Sequence, residues 1–313
     1  MPPTIAVLGP GGVGGFVAAA LARAGEDVLI VARATTAEAI ARDGIDVRSV
    51  LLGDFTGRPH AAASLREPAD VLILATKATS LRESLTRIDA PAGLVVPLLN
   101  GLDHMDLLRE HFGAGGVAAG TIRIESDRPA PGRIVQTSPF LRIDLAADDP
   151  TLAPALERLA ALLREAEIPV QIGPSEAQIL WSKLVRLNAL ACTTSALDRP
   201  IGFIRADPEW RGVLKACLEE AAAVANAAGA RILPQDALAE LDLAHAELGS
   251  SMQRDIAAGR EPELDAIPGA VLRAGVRHGL ACPTIERLVA VVAERARRSA
   301  AGELSGRVPP VAS

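Results

Sequence analysis

Tyrosine is absent from the 313 residues, and aromatic residues make up only 2% of the chain. The interior must therefore be filled by Ala, Leu, Val and Ile, whose small side chains permit close helix packing but carry no chemistry. Cysteine is scarce too. Cys192, Cys217 and Cys282 lie far apart without CxxC spacing, so neither a zinc site nor a disulfide framework is indicated, and no bound metal is expected. A net charge of −6 and a pI near 5.5 leave no basic excess for nucleic acid or a phospholipid surface. No window approaches the roughly 18 uncharged apolar residues of a membrane span. Met1-Pro2-Pro3-Thr4 runs straight into an apolar strand, with no room for a signal peptide. These absences lead to the expectation of a cytoplasmic protein whose partner is a small molecule, acting as a monomer or homodimer.

Apolar residues, at 49%, are plentiful, and 313 residues suggest two domains. The first half alternates β-rich runs with helical stretches, the pattern of a mostly parallel sheet covered by helices. Strands are expected at Thr4–Leu8, Asp27–Ala32, Asp70–Thr76, Leu94–Leu98, Val117–Glu125, Arg133–Leu145 and Pro169–Ile172. Helices are expected at Gly12–Ala24 and Leu152–Ala166. After Gly173-Pro174 the β-like alternation stops. Ser175–Leu197, Pro208–Gly229, Ala237–Ala258, Glu263–Gly279 and Thr284–Ser299 all read as helices. The expected fold is thus α/β: an N-terminal Rossmann domain over residues 1–173, then an all-helical domain over 174–313, frayed from about Ala301.

Gly9, Gly11 and Gly14 in Leu8-Gly9-Pro10-Gly11-Gly12-Val13-Gly14-Gly15 match GxGxxG. Gly9 would make the tight turn off the strand, Gly11 would let backbone approach a pyrophosphate, and Gly14 would let the helix pack on the sheet. The first-turn N–H groups, including those of Gly12 and Val13, and the helix dipole would receive the phosphates. The motif follows a strand and opens a helix, which makes it a dinucleotide site rather than a structural turn. The second strand ends at Arg33, where an NAD site usually has an acid. An arginine there can hold a 2′-phosphate by charge-assisted hydrogen bonds, so NADP(H) is the expected cofactor. Lys77 and Asn100 each follow a strand at the carboxyl edge, where ligands of such sheets bind.

The glycine loop, Arg33, Thr76-Lys77, Leu99-Asn100-Gly101, Trp181-Ser182-Lys183-Leu184, Ser250-Ser251-Met252-Gln253-Arg254-Asp255 and Glu263-Leu264-Asp265 together resemble the ketopantoate reductase (2-dehydropantoate 2-reductase) family. The resemblance runs over nearly the whole chain. It implies a Rossmann domain followed by a helical domain, with the substrate, a 2-oxo acid, in the cleft between them, and a place in pantothenate biosynthesis. It also implies residue roles. Lys183 would be the general acid and Glu263 would accept a hydrogen bond from the substrate hydroxyl. Ser251 would hold the substrate carboxylate, Asn100 would position substrate and nicotinamide ribose, and Lys77 would line the cofactor site.

The match departs from the family at three positions. Family asparagines expected four and eight residues after the lysine fall on Leu187 and Ala191, while Asn188 lies five after it. Five residues turn a regular helix by about 500°, leaving Lys183 and Asn188 about 140° apart. A π-bulge between Lys183 and Cys192 would return Asn188 to the substrate, and that distortion is expected. The second asparagine position then becomes Cys192, an inert packed thiol in an apolar helix, and a third falls on Leu248. Two alternatives therefore stand beside reduction of ketopantoate: a more apolar carbonyl or hydroxy substrate, or an NADPH-sensing protein without catalysis. A 6-phosphogluconate-dehydrogenase-like enzyme would need a glycine-rich substrate loop that the sequence lacks.

Overall fold

The computed structural model of the chain describes residues 4–303. Strand β1 (Ile5–Leu8) is buried along its whole length, as suits an apolar run with no face to turn toward water. The chain continues through α1 (Gly12–Arg23), β2 (Val28–Val31), α2 (Ala34–Asp43), β3 (Ile45–Ser49), β4 (Phe55–Gly57), β5 (His60–Ala62), β6 (Ala69–Leu74), α3 (Leu81–Leu85), β7 (Ala92–Pro97) and α4 (His104–Phe112). Then come β8 (Ala119–Arg123), β9 (Ser126–Ala130), β10 (Arg133–Gln136), β11 (Arg142–Ala146), α5 (Ala153–Glu165) and β12 (Val170–Ile172). Strands β5, β2, β1, β6 and β7 form one sheet in that order, each neighbouring pair parallel. The chain runs outward on both sides of β1, so a crevice opens beyond the carboxyl ends of β1 and β6, where ligands of such sheets bind.

Helix α1 has no polar face. Its residues from Gly14 to Leu21 are all buried, because it contacts both the parallel sheet's strand β2 and a second, mixed sheet ordered β4-β3-β10-β9. A third sheet, β12-β11-β8, packs on α5 through β11 and β12, and its Ile122, Ile143, Leu145 and Val170 join the buried core. Each such buried aliphatic side chain contributes about 1.5–3 kcal/mol.

One expectation for this half needs correction, and one segment without expected elements gains them. Arg133–Leu145 is not one strand but β10 and β11 in different sheets. Pro139 between them cannot donate to a ladder, and the Ser138 hydroxyl fixes the turn by accepting from Glu125 N and donating to Phe140 O at 2.9 and 2.7 Å. Residues 45–62, given no element from the sequence, supply β3, β4 and β5. The alternation of apolar and polar residues in Ile45-Asp46-Val47-Arg48 was the available signal, and it appears as alternating burial in β3.

The second compact unit begins at Leu180, within helix α6 (Glu176–Leu197). It holds α7 (Ile201–Ala206), α8 (Pro208–Ala227), α9 (Pro234–Leu243), α10 (Ser251–Ala257), α11 (Ala270–Arg277) and α12 (Pro283–Ala300), and no strand among the described residues. The α/β half followed by a helical half is as expected. Among the described residues, no helix is long and apolar enough to cross a membrane. The tail expected to fray from Ala301 lies, beyond residue 303, outside the described residues.

Here too the elements differ in detail. The expected helix Ala237–Ala258 is broken between α9 and α10. The Arg205 guanidinium takes the carbonyls of Leu241, Asp242 and Ala244 at 2.7, 2.7 and 2.8 Å, ending α9. Ser250 then starts α10 by accepting from Gln253 N at 3.1 Å. The expected helix from Glu263 opens instead with a π turn over Asp265–Gly269. Pro268 has no N–H to offer the Leu264 carbonyl, so Gly269 N donates to it instead, at 2.9 Å, one residue later than in an α-helix.

Arg205→Ala should leave three carbonyls without their charged donor, lowering stability by about 2 kcal/mol. Urea unfolding should report a lower midpoint with an unchanged slope; an unchanged midpoint would mean that α9 ends by itself.

Candidate functional site

The loop joining β1 to α1 is shaped by what surrounds it. Gly9 has φ +103°, and a Cβ there would lie 3.0 Å from the Ala75 carbonyl oxygen and from Thr76 Cγ2. At Gly14 a Cβ would lie 2.0 Å from the Gly9 carbonyl oxygen. Gly11 differs, since its Cβ would meet only the Ala75 oxygen, at 3.9 Å. Packing does not require glycine at 11, whereas backbone approach by a ligand does. Helix α1 has no side-chain cap at Gly11 and no acid in its first turn. Its first amides, those of Gly12, Val13 and Gly14, are therefore offered as anion donors with the positive end of the helix dipole behind them. These residues fit a dinucleotide pyrophosphate.

One requirement in this loop was not legible in the sequence. A Cβ at Gly12 would lie 2.1 Å from the Ser126 carbonyl oxygen, and the Ser126 hydroxyl donates to Gly12 O at 2.9 Å. The start of β9 thus presses on the helix end, from more than a hundred residues away.

Arg33 follows β2 and supplies the N-cap position of α2 in extended conformation. Its side chain is exposed, and one guanidinium nitrogen stands 3.4 Å from Glu83 Oε1. Lys77, beyond β6, is exposed and begins the short turn into α3. Asn100, beyond β7, is half-buried and precedes Gly101 with φ +88°. Unit 1 thus gathers Gly9, Gly11, Gly12, Val13, Gly14, Arg33, Lys77 and Asn100 along the carboxyl edge of its parallel sheet.

In the helical unit, Lys183 lies on α6 and is 8% exposed. Ser251 is the first residue of α10. Its neighbour Ser250 shares hydroxyl contacts with Thr194 and Ser195 at 3.0 and 3.5 Å. Thr194 follows Lys183 by eleven residues, about three full turns, so α10 starts against the face of α6 that carries Lys183. Glu263 is buried, just ahead of the π turn, and its carbonyl accepts from Ile267 N at 3.0 Å.

Asn188 is a correction. Helix α6 is α-helical throughout, so the distortion expected between Lys183 and Cys192 is absent; the π turn lies instead at Pro268. Fully buried, Asn188 donates to Cys217 Sγ at 3.3 Å and accepts from Cys192 Sγ at 3.5 Å. Its amide lies between α6 and α8, bonded to a thiol on each helix. On the regular helix the positions four and eight after Lys183 are Leu187 and Ala191, both apolar. Hydrogen bonding with Cys192, followed by burial, pushes the Cys217 thiol up, and burial raises Cys282 from 9.0 to about 11.

A family model described as ketopantoate reductase PanE/ApbA matches residues 5–147, and the model of its C-terminal part matches residues 177–296. A 2-dehydropantoate 2-reductase of Mycobacterium tuberculosis is 34% identical over 297 residues, which are 92% of this chain and 96% of that protein. The crystal structure of 2-dehydropantoate 2-reductase from Geobacter metallireducens GS-15 superposes with a TM-score of 0.84 at 29% identity, covering 93% of this chain and 99% of that one. D-Mandelate dehydrogenase, solved with NADH and anilino(oxo)acetate, has the same fold, with a TM-score of 0.85 at 20% identity over 95% of this chain and 99% of that one.

Two glycine variants separate packing from binding. Gly14→Ala should lower thermal stability and dinucleotide affinity together. Gly11→Ala should keep its melting temperature and lose affinity by at least about tenfold; unchanged affinity by calorimetry would remove Gly11 from the site. All three thiols are buried and should resist a disulfide reagent at neutral pH until guanidinium is added. Because Cys282 is raised in the fold, the stability it contributes is complete below about pH 9.0 and is lost as pH climbs toward 11. Rapid labelling of the native protein at neutral pH would contradict this.

Proposed function

The chain belongs to the ketopantoate reductase family, as an oxidoreductase acting on the CH–OH/C=O pair, and from that premise we propose that it reduces a small 2-oxo acid with NADPH. The observation that carries the proposal is Lys183, a lysine only 8% exposed on a largely apolar helix. Burying a lysine is costly, and such lysines are kept where the charge or the proton is used. The cofactor supplies the hydride. Lys183 donates a proton to the ketone oxygen and stabilises the alkoxide character that develops there. Glu263 accepts a hydrogen bond from the hydroxyl so formed, Ser251 holds the substrate carboxylate, and Asn100 orients the substrate and the nicotinamide ribose. Arg33 holds the 2′-phosphate that distinguishes NADP(H), with Lys77 beside the cofactor. In the family this chemistry converts 2-dehydropantoate to pantoate, a step of pantothenate biosynthesis.

A second reading of the substrate is favoured by α6. With Asn188 engaged by two thiols, and Leu187 and Ala191 one and two turns beyond Lys183, the side chains that follow the proton donor are apolar. A site lacking those amides discriminates less against a substrate without hydroxyls, so a 2-oxo acid with an aliphatic or aromatic side chain would be preferred to ketopantoate.

The test is oxidation of NADPH, followed by its near-ultraviolet absorbance, with ketopantoate and with a panel of apolar 2-oxo acids. Lys183→Ala should lower kcat by on the order of 10² to 10⁴ while NADPH still binds. Turnover of ketopantoate above the panel would return the chain to the family's substrate. Binding of NADPH without turnover of any oxo acid would sink the enzymatic proposal.

A further inference from the structure

The end of β2 and the start of α3 meet where nothing in the sequence suggested it. Strands β2 and β6 flank β1 on opposite sides. Arg33 follows β2, and Glu83 lies in the first turn of α3, beyond β6. The Arg33 guanidinium nevertheless stands 3.4 Å from the Glu83 carboxylate, so the pair spans the carboxyl end of β1, above the glycine loop. That is the side of the crevice on which the adenosine ribose of a dinucleotide lies, next to the end of the second strand. Glu83 is also within 3.9 Å of Arg87, one turn further along α3, so it keeps a cationic neighbour if Arg33 turns away.

We propose that Glu83 competes with the 2′-phosphate of NADP(H) for Arg33 and thereby sets how strongly this chain prefers NADP(H) to NAD(H). The inference rests on the NADP(H) reading of Arg33 given above. A phosphate and a carboxylate address the same face of a guanidinium, and both cannot hold it bidentately. A phosphate that takes the guanidinium bidentately draws on the nitrogen that Glu83 Oε1 faces at 3.4 Å, so it weakens the Arg33–Glu83 contact and places a second anion near Glu83. A ribose bearing a free 2′-hydroxyl faces no such conflict, since a hydroxyl can donate to a carboxylate. The chain thus holds, across the crevice from Arg33, the type of acid that NAD sites carry at the end of the second strand. Both side chains are well exposed, 72% and 61%. The competition is correspondingly moderate and weakens as salt screens it.

Calorimetric titration with 2′,5′-ADP and with 5′-AMP tests this on the whole chain without turnover. Glu83→Gln should tighten 2′,5′-ADP by up to about fivefold, the equivalent of roughly 1 kcal/mol for an exposed ion pair, and leave 5′-AMP unchanged or weaker. Glu83→Asp, which keeps the charge in the first turn of α3 but shortens the reach, should shift 2′,5′-ADP in the same direction. In an Arg33→Ala background, Glu83→Gln should add nothing. No change in 2′,5′-ADP affinity, an equal change for both nucleotides, or a gain that survives Arg33→Ala would overturn the proposal. Arg33→Ala that binds 2′,5′-ADP as tightly as the parent chain would overturn the NADP(H) reading beneath it. Dependence on Arg33 without any effect of Glu83 would remove this inference alone.

Discussion

Between the Gly9 carbonyl and the Cα of Gly14 there is no room for another carbon atom, and much of the N-terminal unit is arranged around that contact. A methyl at Gly14 would sit 2.0 Å from the oxygen, one at Gly9 would press on the turn after β6, and one at Gly12 would meet the backbone of β9. Helix α1 can therefore lie directly on β1 and still be covered on its far side by the mixed sheet, buried from Gly14 to Leu21. The same closeness brings the uncapped amino end of α1 to the carboxyl edge of the sheet, where Arg33, Lys77 and Asn100 also emerge. Close packing and an open amino end of α1, of the kind that suits an anion, are two consequences of one absence of side chains.

The helical unit solves a different problem, the placing of polar groups within tightly packed helices. Asn188 is satisfied by two thiols, Ser250 by Thr194, and the end of α9 by Arg205. Buried polar groups of this kind cost stability unless each is bonded, so their partners constrain how α6, α8 and α10 can lie against one another. Lys183 is carried on the helix that this network holds. The proposed role of Lys183 as proton donor would need its position kept to within a fraction of an ångström, and a helix anchored along its length suits that.

Much of the fold was legible in the chain because it is local. The apolar runs that become β1, β2, β6 and β7, and the glycine spacing between β1 and α1, are each contained within about fifteen residues. The π turn had an equally local signal in Pro268, whose missing N–H is a property of the residue itself, although Glu263–Gly279 was expected as one helix. What was not legible came from distant partners. Leu187 and Asn188 admit a bulged or a regular α6, and in the regular helix that forms, Asn188 meets Cys217 on α8, 29 residues away. Periodicity continues through 244–250 where the helix does not, because the donor that ends α9 is Arg205, some forty residues earlier.

By itself the sequence determined the glycine-rich strand–loop–helix, whose shape fits a dinucleotide, the change from an α/β half to a helical half, and the set of residue types available for chemistry. These follow from backbone sterics, hydrophobic periodicity and the presence or absence of a side-chain charge, all of which act over a few neighbouring residues. Tertiary structure alone decided that Asn188 meets the Cys217 thiol, that Ser126 makes Gly12 obligatory, and that Arg33 already faces Glu83. Each of these depends on a contact between residues 29 to 114 positions apart, and a hydrogen bond or ion pair reaches only about 3 Å, so it exists only once the fold has closed that separation.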